Sequence, residues 1–118
     1  MNRGKNILVQ LILGGIAVII SEYLIPGVEV SSFFTAILVA ALLAILNITI
    51  KPILIILTIP ITFLTLGLFL LAINALIILM AGAIIPGFTV DGFWWALLFS
   101  LVLSLVNALL GVSFGKDD

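Results

Sequence analysis

Long apolar tracts separated by short polar breaks organise the chain. After a cationic lead containing Arg3 and Lys5, the first tract runs from Ile7 to Leu24. It is too long for the apolar core of a signal peptide. The Ser21-Glu22-Tyr23 near its end offers no small-x-small cleavage site, so the pattern predicts an uncleaved spanning helix. The second tract, Phe33 to Ile50, stops at Lys51-Pro52. Its 18 residues rise ~27 Å, close to the ~30 Å hydrocarbon core of a bilayer. The last tract, Phe93 to Phe114, opens on Trp94-Trp95, which suits an interfacial aromatic anchor.

The middle of the chain is less regular. Ile53 to Ile85 carries no charge, yet as one helix it would be ~50 Å long, too much for one crossing. Pro60 and Gly67 are the natural breaks. The third spanning helix is therefore expected over about Leu66 to Ile85, preceded by an interfacial or re-entrant segment, 52–65. Lys51, Thr58, Thr62 and Thr65 recur at spacings of 7, 4 and 3, along one helical face. A tilted helix on the inner surface accounts for this. The alternative is a re-entrant hairpin bending at Pro60, which the membrane tolerates only when it is buried in protein.

A shift of 60 residues superimposes Ile25-Pro26-Gly27-Val28-Glu29-Val30 on Ile85-Pro86-Gly87-Phe88-Thr89-Val90, and Asn47 on Asn107. The predicted fold is an all-α integral membrane protein in a single domain, 1–118. Its four transmembrane helices form two helix–IPG loop–helix repeats, at about 7–50 and 66–114, joined by the connecting segment 51–65. Each unit crosses the membrane twice. The two units must then share one orientation, related by a pseudo-two-fold along the membrane normal.

Each repeat carries a stripe of small residues. Ala36, Ala40, Ala44 and Asn47 lie on one face of the second helix, and Ala96, Ser100, Ser104 and Asn107 match them on the fourth. The first helix has a comparable row, Gln10, Gly14, Ala17 and Ser21. Small residues let backbones approach where lipid supplies no hydrophobic force, so the stripes read as packing surfaces; the alternative is the lining of a narrow polar path. Gln10, Asn47, Asn74 and Asn107 form a layer of amides in the cytoplasmic third of the bilayer. They should point inward and fix helix register, or else floor a water-filled vestibule.

Composition narrows the function. Of the 118 residues, 65% are hydrophobic and 8% charged, against ~45–50% and ~25% in soluble domains. Mean hydropathy is +1.59. The lipid bilayer is the expected surrounding. The chain has no His and no Cys, which removes the main residues of zinc and iron–sulfur sites, thiol catalysis and His-based acid–base chemistry. No catalytic residue, metal or cofactor is expected. A net charge of -1 gives no basic patch for nucleic acid and no polybasic cluster for anionic lipid.

With four crossings, Arg3, Lys5, Lys51 and Lys116 fall on one side and Glu22, Glu29 and Asp91 on the other. The positive-inside rule then makes both termini of this multi-pass protein cytoplasmic, with those four basic residues as topology anchors. No ionisable residue reaches the predicted midplane, which argues against a coupled transporter. Nor do the hydroxyls have a base within the membrane, so an enzyme is not expected. Glu29 and Asp91 read as solvated loop charges.

Several segments carry a family resemblance: Ile25-Pro26-Gly27, Leu46-Asn47 leading into Lys51-Pro52, Leu57-Thr58-Ile59-Pro60, Leu64-Thr65-Leu66-Gly67-Leu68-Phe69, Ile73-Asn74-Ala75 and Pro86-Gly87-Phe88. Together they resemble the small bacterial membrane proteins of the four-transmembrane phage holin superfamily IV, or YvlD-like family. The resemblance covers nearly the whole chain, with Lys51 standing where Arg is the more usual residue. It implies a protein of the bacterial cytoplasmic membrane that permeabilises or conducts across it. Because one protomer offers only narrow polar stripes, a pore requires a homo-oligomer with the Ala/Ser/Asn stripes turned toward a shared lumen. The alternative is a non-conducting, structural or stress-linked scaffold that organises lipid or partner proteins.

Overall fold

The computed structural model describes residues 3–112, with side chains from Ile7 onward. The elements are α1 (Arg3–Leu24), β1 (Val28–Val30), α2 (Phe33–Leu57), α3 (Ile59–Leu64), α4 (Phe69–Ile84), β2 (Phe88–Val90) and α5 (Phe93–Leu110). Among the described residues, three helical stretches are long and apolar enough to cross a membrane: Ile7–Leu24, Phe33–Leu57 and Phe93–Leu110. Helix α4 has 16 residues and is equally apolar; at 1.5 Å per residue it spans ~24 Å.

The four long helices form a closed ring. Helix α1 packs on α2 and α5, while α4 packs on α5 and α2. Ala17, Ala36, Ala75, Ala81 and Ala96 are wholly buried at the contacts. Their small side chains allow close backbone approach, the source of dispersion contact between helices that lipid does not push together. Larger residues face outward, among them Ile45, Ile48, Leu76, Leu101 and Leu105.

Strands β1 and β2 tie one end of the ring. The sequence suggested only the two IPG loops there, in an all-α chain. Instead the two loops pair as a short antiparallel ribbon, Val28 opposite Val90, Glu29 opposite Thr89 and Val30 opposite Phe88. Two further bonds extend it, Ser31 N–H to Gly87 O at 2.9 Å and Asp91 N–H to Gly27 O at 2.8 Å. The loop backbone would otherwise have to find partners at the membrane surface. Val28 and Phe88, both β-formers, are buried beneath the ribbon. Positions 60 apart in sequence thus lie directly opposite at its centre, Glu29 and Thr89.

The two Pro-Gly turns need glycine for different reasons. A Cβ on Gly27 would fall inside the Trp95 ring. Gly87 sits at φ +92°, where L side chains are disfavoured, and a Cβ there would also meet Ser31 Oγ.

Four boundaries differ from the sequence expectation. The second helix does not stop at Lys51-Pro52. It continues through Pro52 to Leu57, losing one backbone donor where an exposed proline is tolerated. The bend falls at Thr58 rather than Pro60, so the expected connecting segment 51–65 is divided between the end of α2 and the six-residue α3. Pro60 occupies the first turn of α3, where a missing N–H costs least. The third helix starts at Phe69 rather than Leu66 because Leu66 (φ 58°) and Gly67 (φ 89°) are left-handed and end the preceding turn. Helix α5 closes at Gly111, also left-handed, short of the expected Phe114, which lies outside the described residues.

Gly27→Ala should destabilise the protein by ~1–3 kcal/mol through overpacking against Trp95. Gly82→Ala, whose added carbon meets nothing closer than 3.5 Å, should be near neutral. Denaturant titration of both variants in mixed micelles measures the difference.

Candidate functional site: a polar cavity inside the helix ring

All four long helices contribute to one cavity of about 110 Å³. Its apolar wall includes Val18, Leu43, Ile77, Ile78 and Leu103; its polar groups are Asn47 and Lys51 of α2, Asn74 of α4, and Ser100, Ser104 and Asn107 of α5. Helical periodicity brings them together. Ala40, Ala44, Asn47 and Lys51 repeat every three or four residues and share one face of α2, as Ser100, Ser104 and Asn107 do on α5.

The cavity is closed at one end. Toward the strand pair the lining residues Val18, Ala40 and Ser100 are buried. Beyond them toward the ribbon lie Ser21, Ala36, Ala81 and Ala96, then Phe88, whose ring centroid is 5.8 Å from that of Phe99 at the cavity's end, both almost wholly inaccessible. Toward the other end Asn47 and Ser104 are exposed, and Lys51, Asn74 and Asn107 are partly so. The space therefore opens away from the ribbon. At ~10–15 Å³ of probe-occupied volume per water, it has room for several waters.

The stripes thus face the inside of one protomer. Ala40, Ala44, Asn47, Ser100, Ser104 and Asn107 line the cavity, while Ala36 and Ala96 seal the layer beneath it. From the first helix's row, Gly14 joins the lining and Ala17 and Ser21 are buried. Three of the four amides meet here. Gln10 is not among the lining residues and has a polar partner of its own. Ser100 Oγ donates to Leu97 O at 2.8 Å, a bond within its own helix. Asn107 Oδ1 is buried with no hydrogen-bond partner among the described residues.

Lys51, read from sequence as a topology anchor, proves also to be a cavity residue. The signal was present, since it lies one turn beyond Asn47 on the same face. The side chains of Arg3 and Lys5, and Lys116, lie outside the described residues. Glu29 and Asp91 are exposed beside the ribbon. Among the described residues no group of His, Cys, Asp and Glu could hold a metal ion.

A family model described as mycobacterial 4 TMS phage holin, superfamily IV, matches residues 5–109. The chain belongs to this family. Among its relatives, the uncharacterised membrane protein YvlD of Bacillus subtilis is 39% identical over 103 residues, covering 86% of this chain and 87% of its own. An uncharacterised protein of Streptomyces coelicolor is 35% identical over 124 residues, covering 97% of this chain and 99% of its own. No solved structure matches. The holin-family chain is thus a multi-helix membrane protein with a polar cavity among its helices.

Asn47→Cys and Ser104→Cys should be labelled by a membrane-impermeant thiol reagent applied to open membrane fragments. Ala36→Cys and Ala96→Cys should stay unlabelled until detergent unfolds the bundle. The chain has no native cysteine, so each signal reports its own site.

Proposed function

We propose that this chain works as a holin-type protein of the bacterial cytoplasmic membrane, sealed as a single protomer and permeabilising only as a homo-oligomer. Family membership supports the permeabilising role. The observation that carries the sealed protomer is the closed end of the cavity, where Phe88, Phe99 and the buried alanines leave no continuous polar route. A shared lumen needs a polar wall. The outward faces of the helices offer mainly Ile, Leu and Phe, while the polar stripe residues belong to the cavity. A lesion therefore requires protomers to open along the α1–α5 and α2–α4 contacts and turn those stripes toward one another.

The same geometry supports the second reading, a non-conducting scaffold. A protomer whose polar groups are already enclosed is stable among lipids without opening.

The topology belongs to this proposal. Both termini and the cavity mouth face the cytoplasm, a reading supported by Lys51 and the start of α1 at that end against Glu22, Glu29 and Asp91 at the ribbon, and by the basic residues Arg3, Lys5 and Lys116 in the sequence outside the ribbon loops. The two halves are repeats about a pseudo-two-fold through the ribbon, supported by the pairing of Glu29 with Thr89. Residues 58–68 form an interfacial elbow. Thr58, Thr62 and Thr65 are half-buried while Phe63, Leu64 and Leu66 are exposed, Leu66 to 92%. Such a surface belongs in lipid.

Liposomes loaded with dyes of graded size test the function. On the holin reading, leakage is absent at low protein density, rises steeply as density increases, and is altered by Asn47→Leu or Asn107→Leu. Tight vesicles at every density, with insertion demonstrated, would establish the scaffold.

A further inference from the structure

Lys51 is the only basic side chain among the described residues from Ile7 to Val112, and none of the described acids is near it. Glu22, Glu29 and Asp91 all belong to the ribbon end. Lys51 lies 18 residues beyond the start of α2 at Phe33, ~27 Å along the helix. That places it near the far edge of a ~30 Å hydrocarbon core, where a partly buried lysine needs water or a counter-charge. Here it lines a cavity whose other polar groups are three carboxamides and two hydroxyls. Each carboxamide carries two N–H donors.

Two further observations point to an occupant. Asn107 has a buried polar atom with no partner among the described residues. That atom is the carbonyl Oδ1, an acceptor, so any contribution of Asn107 to an anion comes from its N–H groups. Second, the polar lining is unequal between the two halves. Asn74 on α4 corresponds to Gly14 on α1, and Lys51 on α2 to Gly111 beyond α5. The result is one positive charge, with donors on three sides and open space beside them.

We infer that the cavity binds a phosphate-type oxyanion. Lys51 supplies the counter-charge, and the Asn47, Asn74 and Asn107 amides supply N–H donors. A lysine serves phosphate as a point charge with freely rotating donors, which suits a site lacking a second cation. The chemistry is shared by a phospholipid headgroup and by free phosphate. This inference rests on the reading of the cavity as a water-filled vestibule, and on neither permeabilisation nor orientation.

The test uses the full-length protein in a zwitterionic detergent. Inorganic phosphate, short-chain phosphatidylglycerol and, as control, phosphatidylcholine of the same chain length are each titrated by calorimetry at fixed chloride. Saturable, Lys51-dependent binding of phosphate would establish the free anion as a ligand. The same behaviour with phosphatidylglycerol alone would assign the site to lipid. In either case Lys51→Gln should bind about tenfold more weakly, the expected loss for a hydrogen bond to a charged group, and Lys51→Arg should retain binding. Should Lys51→Gln fail to fold, Asn74→Leu carries the same expectation of weakened binding. Absence of saturable binding to both ligands, or wild-type affinity in folded Lys51→Gln, would overturn the inference. If Asn47→Cys and Ser104→Cys are nonetheless labelled by the thiol reagent, the vestibule stands and only the anion site falls.

Discussion

A polar side chain within a bilayer has no water to fall back on, so it must find its partner inside the protein or at the membrane edge. That constraint organises this molecule. Its helices are apolar on most of their surface, and the polar residues they carry at depth are gathered on faces that turn toward one another. Asn47, Asn74, Asn107, Ser100 and Ser104 meet around one space. Thr49 Oγ1 and Thr58 Oγ1 bond to their own helix, to Ile45 O and to Leu54 O at 2.7 Å each, while Ser21 Oγ and Thr62 Oγ1 are buried without a partner among the described residues. Small residues make the arrangement feasible, since Ala36 and Ala96 let the helices close just beyond the space that the larger amides hold open.

The ribbon and the cavity are opposite consequences of the same ring. At one end two short strands hydrogen-bond across the molecule, and Phe88 and Phe99 fill the interior. At the other, polar side chains and a lysine prevent dry packing. The molecule is therefore polarised along the helix axes, with a closed end carrying the described acids and an open end carrying the described cation. Holin-family membership gives that polarity its functional interest, because the permeabilising assembly proposed above would have to undo the closed end.

Much of this was legible in the chain. Tract lengths located the first, second and fourth helices, since an apolar run near bilayer length has few alternatives. The stripes and amides were legible because spacings of three and four residues leave little doubt about a helical face. Sequence could not say whether those faces would meet within one protomer or between several, because a small-residue face fits either partner equally well. Nor could it show the ribbon, whose three-residue strands are too short for an alternating pattern. The helix boundary at Lys51-Pro52 failed for a further reason. A proline stops a helix only where the freed carbonyl has nowhere to turn, and Pro52 lies on an exposed face near the open end.

The central claim is that the two halves close on each other within a single protomer. Oxidation of the Glu29→Cys, Thr89→Cys double variant in native membranes tests it most directly, because these exposed residues face each other across the ribbon. The account predicts a disulfide formed in high yield within one chain, running as a monomer in non-reducing gels, with neither single variant crosslinking to any comparable extent. A ladder of disulfide-linked dimers and higher species from the double variant, with no intramolecular product, would contradict it.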